Sequence, residues 1–277
     1  MFDSIIEFQC YLKNVNQCLK RCLLKVGLLG FGRTGRMVAQ EIISDDECNL
    51  LWVARKSAEA IGDYVGEMFG FHRKEGEIIT KQNILREGFF PDNSVDVVID
   101  FSSQFAVKYY SEFAKHGIKI VSAISHYSKQ ELEVIKKVSR KTAILYSPNI
   151  TIGINLIMVM AKMLKEIIPF ADIDIVEEHF RNKKGPSGTA DRIAESLSIN
   201  PDKVKSIRSG GIVGNHEVLF GLPNQVIRLC HETYSRAAFA LGAIHAAKWI
   251  ADKSEGLYSM ESLINEKIKS HINKEEV

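Results

Sequence analysis

The chain has 277 residues, 45% hydrophobic and 25% charged, with 36 basic against 34 acidic side chains and a formal charge of +2. That composition suits one large or two modest globular domains and excludes a mostly disordered chain. The near balance of charge excludes a global basic field for nucleic acid or an anionic membrane, and no apolar run approaches the ~18 residues a membrane helix needs.

Residues 1–23 stand apart as an N-terminal extension. Asp3 and Glu7 sit where a signal peptide would be basic. Ile5, Phe8, Leu12, Val15 and Leu19 have loose helical spacing, read as a surface helix or the product of an upstream start codon. A partner-binding or targeting helix is the alternative. Of the five cysteines, only Cys18 and Cys22 are spaced like metal ligands, and no second pair follows. No metal site is expected, and Cys10, Cys18, Cys22, Cys48 and Cys230 read as free thiols of a reducing cytoplasm.

From residue 23 the pattern alternates. Short apolar runs predict strands over 23–29, 50–54, 95–101, 119–123 and 143–146, and helical spacing predicts helices over 36–43, 104–116 and 128–139. Such alternation implies an α/β, Rossmann-type parallel sheet. After Pro148 the character changes. Helices over 153–168 and 189–197 accompany strands over 173–178, 204–208, 217–220 and 225–232, which suits a second α+β domain with a mixed sheet and one open face. A helix over 235–252 is expected to close the chain.

Two segments carry chemistry. Gly30-Phe31-Gly32-Arg33-Thr34-Gly35 fits G-x-G-x-x-G between a predicted strand and helix, the context of a dinucleotide loop. Its helix start offers free N–H groups to phosphates. After the second strand, where an acid would favour NAD, stand Arg55 and Lys56. Two cations suit a 2′-phosphate, so NADPH is expected over NADH. The second segment runs from Glu177 to Ala190 and joins a strand to a helix. Ser187, Gly188 and Thr189 make an anion cradle at a helix start, with His179 and Lys183 adding a titratable group and a fixed cation beside it. As a strand-end imidazole and a long cation, His216 and Lys184 read as surface residues.

These residues resemble the 4-hydroxy-tetrahydrodipicolinate reductase (dihydrodipicolinate reductase) family. Its segment E-x-H-H-x-x-K-x-D-A-P-S-G-T-A is matched by His179, Lys183 and the run from Pro186 to Ala190. Gly32-Arg33-Thr34-Gly35-Arg36 resembles its G-R-M-G-R loop, Asp100-Phe101-Ser102 its D-F-S strand end, and residues 147–156 its A-P-N-x-S-x-G-V-N-L hinge. Ile212 to Val218, His231, Ser235-Arg236, Phe239-Ala240, Gly242-Ala243 and Gly256 to Met260 follow in family order, so the likeness spans about 24–265.

The resemblance implies a dinucleotide-binding domain over 24–149, completed by 243–277, and a substrate-binding and oligomerisation domain over 150–242. It implies reduction of a small cyclic imine dicarboxylate by NADPH or NADH in diaminopimelate and lysine biosynthesis, in a cytoplasmic homotetramer built through the second-domain sheets. His179 would be the general acid. Lys183, Phe180, Ser187, Gly188 and Thr189 would face the substrate. Phe101, Ala123, Ser125, Asn149 and Ile150 would join residues 30–35, Arg55 and Lys56 around the cofactor.

The chain departs from the family at Phe180, where a second histidine is usual, in a loop before Pro186 one residue shorter and lacking an aspartate, at Ala123-Ile124-Ser125-His126 in place of G-T-T-G, and at Thr34 in place of methionine. A reductase of another imine or enoate, or a non-catalytic NADP-binding relative, are the alternatives.

Overall fold

The computed structural model describes residues 23–57, 59–185 and 187–275. The predicted N-terminal helix, Cys10, Cys18, Cys22 and Pro186 lie outside the described residues.

The first unit is a seven-stranded sheet in the order β3-β2-β1-β4-β5-β6-β11, parallel at every pairing. Its strands are β1 (Leu24–Leu29), β2 (Cys48–Arg55), β3 (Glu77–Thr80), β4 (Val97–Asp100), β5 (Lys119–Ser122), β6 (Ala143–Tyr146) and β11 (Gly256–Tyr258). The central strands read as unbroken apolar runs because both faces are covered; Val97, Val98 and Ile99 are all 0% exposed. One face packs on α1 (Arg33–Ser44) and on α6 (Ala237–Ile250) and α7 (Met260–Glu275). The other packs on α2 (Val107–Lys115) and α3 (Lys129–Val138). The β1–β2 register shifts between Val26 and Gly27, and the Trp52 indole occupies the space a Cβ on Gly27 would need.

Two expectations are corrected. Helix α1 starts at Arg33 rather than at residue 36, because the last turn of the glycine loop is already helical and Gly32 is its extended N-cap. The helix expected over 235–252 is α6, and it does not close the chain. β11 and α7 follow, β11 adding a seventh strand beside β6.

The second unit is a four-stranded mixed sheet, β10-β9-β7-β8, made of β7 (Asp172–His179), β8 (Val204–Arg208), β9 (Asn215–Leu222) and β10 (Gln225–Glu232). β7 pairs parallel with β8 and antiparallel with β9. One face is buried under α4 (Ile152–Ile167) and α5 (Gly188–Ser196), and the other is open. Strand β7 alternates with period two: Ile173, Ile175, Glu177 and His179 are buried, while Asp172 and Asp174 are exposed. Helix α4 serves both units. Val159 and Met163 pack in the first core, and Ile154, Ile157, Met158 and Ala161 in the second.

Candidate active site

The glycine loop leaves β1 at the C-terminal edge of the sheet, between β2 and β4, where the strand order reverses. Gly30 has φ +99°, and a Cβ there would lie 2.8 Å from the Phe101 carbonyl oxygen. A Cβ on Gly35 would collide with the Gly30 carbonyl. Beside Gly32 nothing lies within 4 Å of a Cβ position, and its side of the α1 N-terminus has no side-chain cap. Open backbone at an uncapped helix start fits a pyrophosphate.

A cleft of about 320 Å³ beyond the loop is lined by Arg33, Thr34, Phe101, Ala123, Ser125 and Ile150, which the sequence had named, together with Arg236 and Phe239, to which it gave no role. Phe31 is 6% exposed and packs in the core under the Arg36 guanidinium, 5.0 Å from its ring centre, so only its backbone is left for a ligand. The Arg55 guanidinium bonds to the Glu59 carboxylate at 3.0 Å, and Lys56 is exposed. Asn149 lies at the end of the connection into α4. Its amide donates to Thr189 Oγ1 at 3.0 Å, and its carbonyl oxygen accepts from Thr151. Asn149 thus ties the connection into α4 directly to the start of α5.

On β7, residues 177 and 179 share the helix-facing side. Glu177 is 0% exposed. It accepts from Arg208 at 2.9 and 2.6 Å, from Ser206 at 2.6 Å, and from His179 Nδ1 at 2.5 Å. Parallel pairing of β7 with β8 sets Ser206 opposite Glu177 and Arg208 opposite His179. Burial raises the Glu177 pKa, but Arg208, Ser206 and His179 together outweigh it and hold the carboxyl at about 2. Burial also pushes the His179 imidazole below its ordinary value. Glu177 pulls it up, while Lys183 and Arg208 push it further down. With Nδ1 committed to the carboxylate, Nε2 is the atom left to meet a ligand, and it would lie 3.0 Å from a Cβ at Gly214.

Ser187 caps α5, its hydroxyl accepting from Ala190 N–H at 3.4 Å and lying 2.9 Å from His216 Nε2. Nothing within 4 Å faces a Cβ position at Gly188, so its backbone is open. Phe180 is 44% exposed just past the strand end, and Lys184 is exposed as expected. His216 is not the surface imidazole the sequence suggested. It is 6% exposed, its ring 5.4 Å from that of His179, because alternation along β9 turns it toward the helices. Burial, with His179 and His231 nearby, pushes its pKa down to about 4, so it is neutral at neutral pH.

Sequence reasoning gave no role to Glu177, Ser206 or Arg208. Period-two spacing puts Glu177 beside His179 and could have found it. Ser206 and Arg208 enter only through the β7–β8 register. No metal-ligating cluster occurs among the described residues, and no helix among them is long and apolar enough to cross a membrane.

Known proteins are similar to this chain. The family model described as "Dihydrodipicolinate reductase, N-terminus" matches residues 24–150, and "Dihydrodipicolinate reductase, C-terminus" matches 153–264. The 4-hydroxy-tetrahydrodipicolinate reductase of Buchnera aphidicola (subsp. Acyrthosiphon pisum, strain Tuc7) is 33% identical over 264 residues, covering 84% of this chain and 95% of that protein. Among solved structures, a dipicolinate-bound dihydrodipicolinate reductase from Paenisporosarcina sp. TG-14 superposes with a TM-score of 0.71 at 20% identity, covering 86% of this chain and 97% of the other. An engineered D-amino acid dehydrogenase bound to NADP+ superposes at 0.55 with 12% identity, covering 86% and 93%. With both halves matched in order over nearly all the described residues, the chain belongs to the dihydrodipicolinate reductase family.

Proposed function

We propose that the chain reduces 4-hydroxy-tetrahydrodipicolinate with NAD(P)H, with His179 as proton donor and Lys183 serving the substrate's charge. The observation that carries this reading is the Glu177-bound His179, whose Nε2 is its free nitrogen, in the same site as Lys183 and the Ser187–Thr189 cradle. When bound along the glycine loop, the reduced nicotinamide supplies a hydride. Hydride addition to a conjugated carbon–nitrogen system must be matched by a proton, and His179 Nε2 gives it. Glu177 fixes the imidazole through Nδ1 and stabilises its charged form. Lys183 holds a carboxylate and offsets developing charge. Gly188 N–H and Thr189 Oγ1 take the other carboxylate. Thr189 Oγ1 already accepts from Asn149, so its own proton is free to donate. Arg33, Thr34, Phe101, Ala123, Ser125, Asn149 and Ile150 frame the nicotinamide end.

We place the domain boundary near residue 150 and the return to the first sheet in α6. The open face of the second sheet, with Ile207 44% and Val226 54% exposed, is the surface through which a cytoplasmic homotetramer would assemble.

Turnover of purified variants tests the catalytic assignment. His179→Gln should lower kcat by roughly 10²- to 10⁴-fold without changing cofactor affinity. Lys183→Ala should lower kcat and also raise KM, since its charge acts before and during reaction. Near-parent turnover by folded His179→Gln would sink the proposal. A second reading, a reductase of a less polar imine or enoate, is favoured by the exposed Phe180 ring. A folded, cofactor-binding parent that leaves the dicarboxylate untouched would decide for it.

A further inference from the structure

Resting on that reading of the dinucleotide cleft, we infer that the adenosine 2′-phosphate of NADPH is held by Lys56, Lys81 and Lys108, and that Lys81 and Lys108 rather than Arg55 set the preference over NADH. A pocket of about 240 Å³ is lined by Lys56, Lys81, Gln82, Ser103, Phe105 and Lys108. Each lysine comes from a different element. Lys56 follows β2, Lys81 follows β3, and Lys108 lies in the first turn of α2 after β4. Those ends share one edge of the sheet with the glycine loop of β1, which β2 and β4 flank.

The cleft at Ala123, Ser125 and Ile150 lies toward β5 and β6, and the lysine pocket lies between the segments that follow β2 and β3, with Lys56, Lys81 and Gln82, and the segment that follows β4, with Ser103, Phe105 and Lys108. A dinucleotide laid across the loop with its nicotinamide in the first therefore brings its adenosine to the second.

The charges are arranged for an anion. Among the described residues, none of the three lysines forms an ion pair. Lys81 is partly buried. Burial lowers its pKa, Asp100 opposes that, and Lys108 and Lys56 lower it further. Three cations converging on one pocket repel one another until an anion joins them, and a phosphate dianion accepts from all three. Arg55 is differently placed. Its side chain is 13% exposed, and its guanidinium bonds to both the carboxylate and the backbone carbonyl of Glu59. The cationic pair seen in the sequence therefore divides, with Lys56 in the pocket and Arg55 turned to Glu59.

The test is direct binding of NADPH and NADH to the full chain without substrate, read by nicotinamide fluorescence, with 2′,5′-ADP and 5′-AMP as competitors. The parent should bind NADPH more tightly. Lys81→Met and Lys108→Met keep their aliphatic stems, and each should raise the NADPH Kd roughly tenfold while the NADH Kd stays within about twofold. Competition by 2′,5′-ADP should weaken in step with NADPH, and competition by 5′-AMP should not. Lys81→Arg should retain the preference. If a variant does not fold, salt decides on the parent alone: NADPH binding should weaken more steeply than NADH binding. A parent without preference, equal losses for both cofactors, or equal salt slopes would overturn the inference. Binding is read without turnover, so a chain that shows this pattern yet spares the dicarboxylate keeps the lysine site and loses the proposed substrate.

Discussion

Glu177 and His179 sit two residues apart on β7, and that spacing alone puts a carboxylate and an imidazole on one buried face. The consequence is a pH profile with a definite direction. A general acid works when protonated, so kcat/KM should fall as pH rises through the His179 pKa, which burial places below the ordinary 6.5. Glu177 holds that pKa up and Lys183 holds it down. Glu177→Gln should therefore move the descending limb to lower pH, and Lys183→Met should move it to higher pH. A carboxylate that only supports the fold would reduce kcat and leave the limb in place. His179, Lys183 and the Ser187–Thr189 cradle were legible in the sequence because they lie within a dozen residues of one another. Arg208 and Ser206 were not, since a partner 29 or 31 positions away is chosen by strand register. Lys81 and Lys108 were hidden for the same reason: the pocket they share with Lys56 exists only once β3, β2 and β4 are assembled around β1 in one sheet.

At the scale of elements, unbroken apolar runs and long periodic segments were the readable ones. Strands 143–146, 204–208 and 225–232 have the predicted bounds, and α4 and α5 begin one residue early. β3 and β11 escaped because neither holds an apolar run, β3 having only Ile78 and Ile79 between Glu77 and Thr80 and β11 only Leu257 and Tyr258 after Gly256, and each is a strand only because a neighbour supplies its hydrogen bonds. Helix α7 carries mixed polarity, although Met260, Leu263 and Ile264 are buried in the first core. The second sheet shows the converse case, an open face that the sequence anticipated. Val226 on β10 and Ile207 on β8 point away from α4 and α5, at opposite edges of that face. If the face joins subunits, Val226→Glu with Ile207→Glu should reduce the mass found by light scattering while far-UV circular dichroism stays at the parent's. A parent that is already monomeric would remove the basis for the tetramer.

Across the whole molecule, the change of pattern after Pro148 marks where one sheet ends and the other begins, and it was visible because βα alternation gives way to consecutive strands. The sequence could not show how firmly the two units are joined. The connection is anchored by Asn149, by the Lys162–Glu261 ion pair at 2.6 Å, and by Gly242, where a Cβ would collide with the Ile150 carbonyl. Above all, α4 contributes opposite faces to the two cores.

That shared helix decides what an optical melt will report. The chain has two tryptophans, and both belong to the first unit: Trp52 on β2, 1% exposed, and Trp249 on α6, its ring 5.4 Å from that of Tyr258. Indole emission therefore sees the first sheet directly and the second not at all, whereas far-UV circular dichroism sees both. Were the units joined by a loose tether, the two signals would part on heating. Because neither core can open without stripping one face of α4, the indole and peptide transitions should share one midpoint, and denaturation should be all-or-none across both sheets. Separate midpoints in the parent protein would mean that α4 parts from one core while it stays packed on the other.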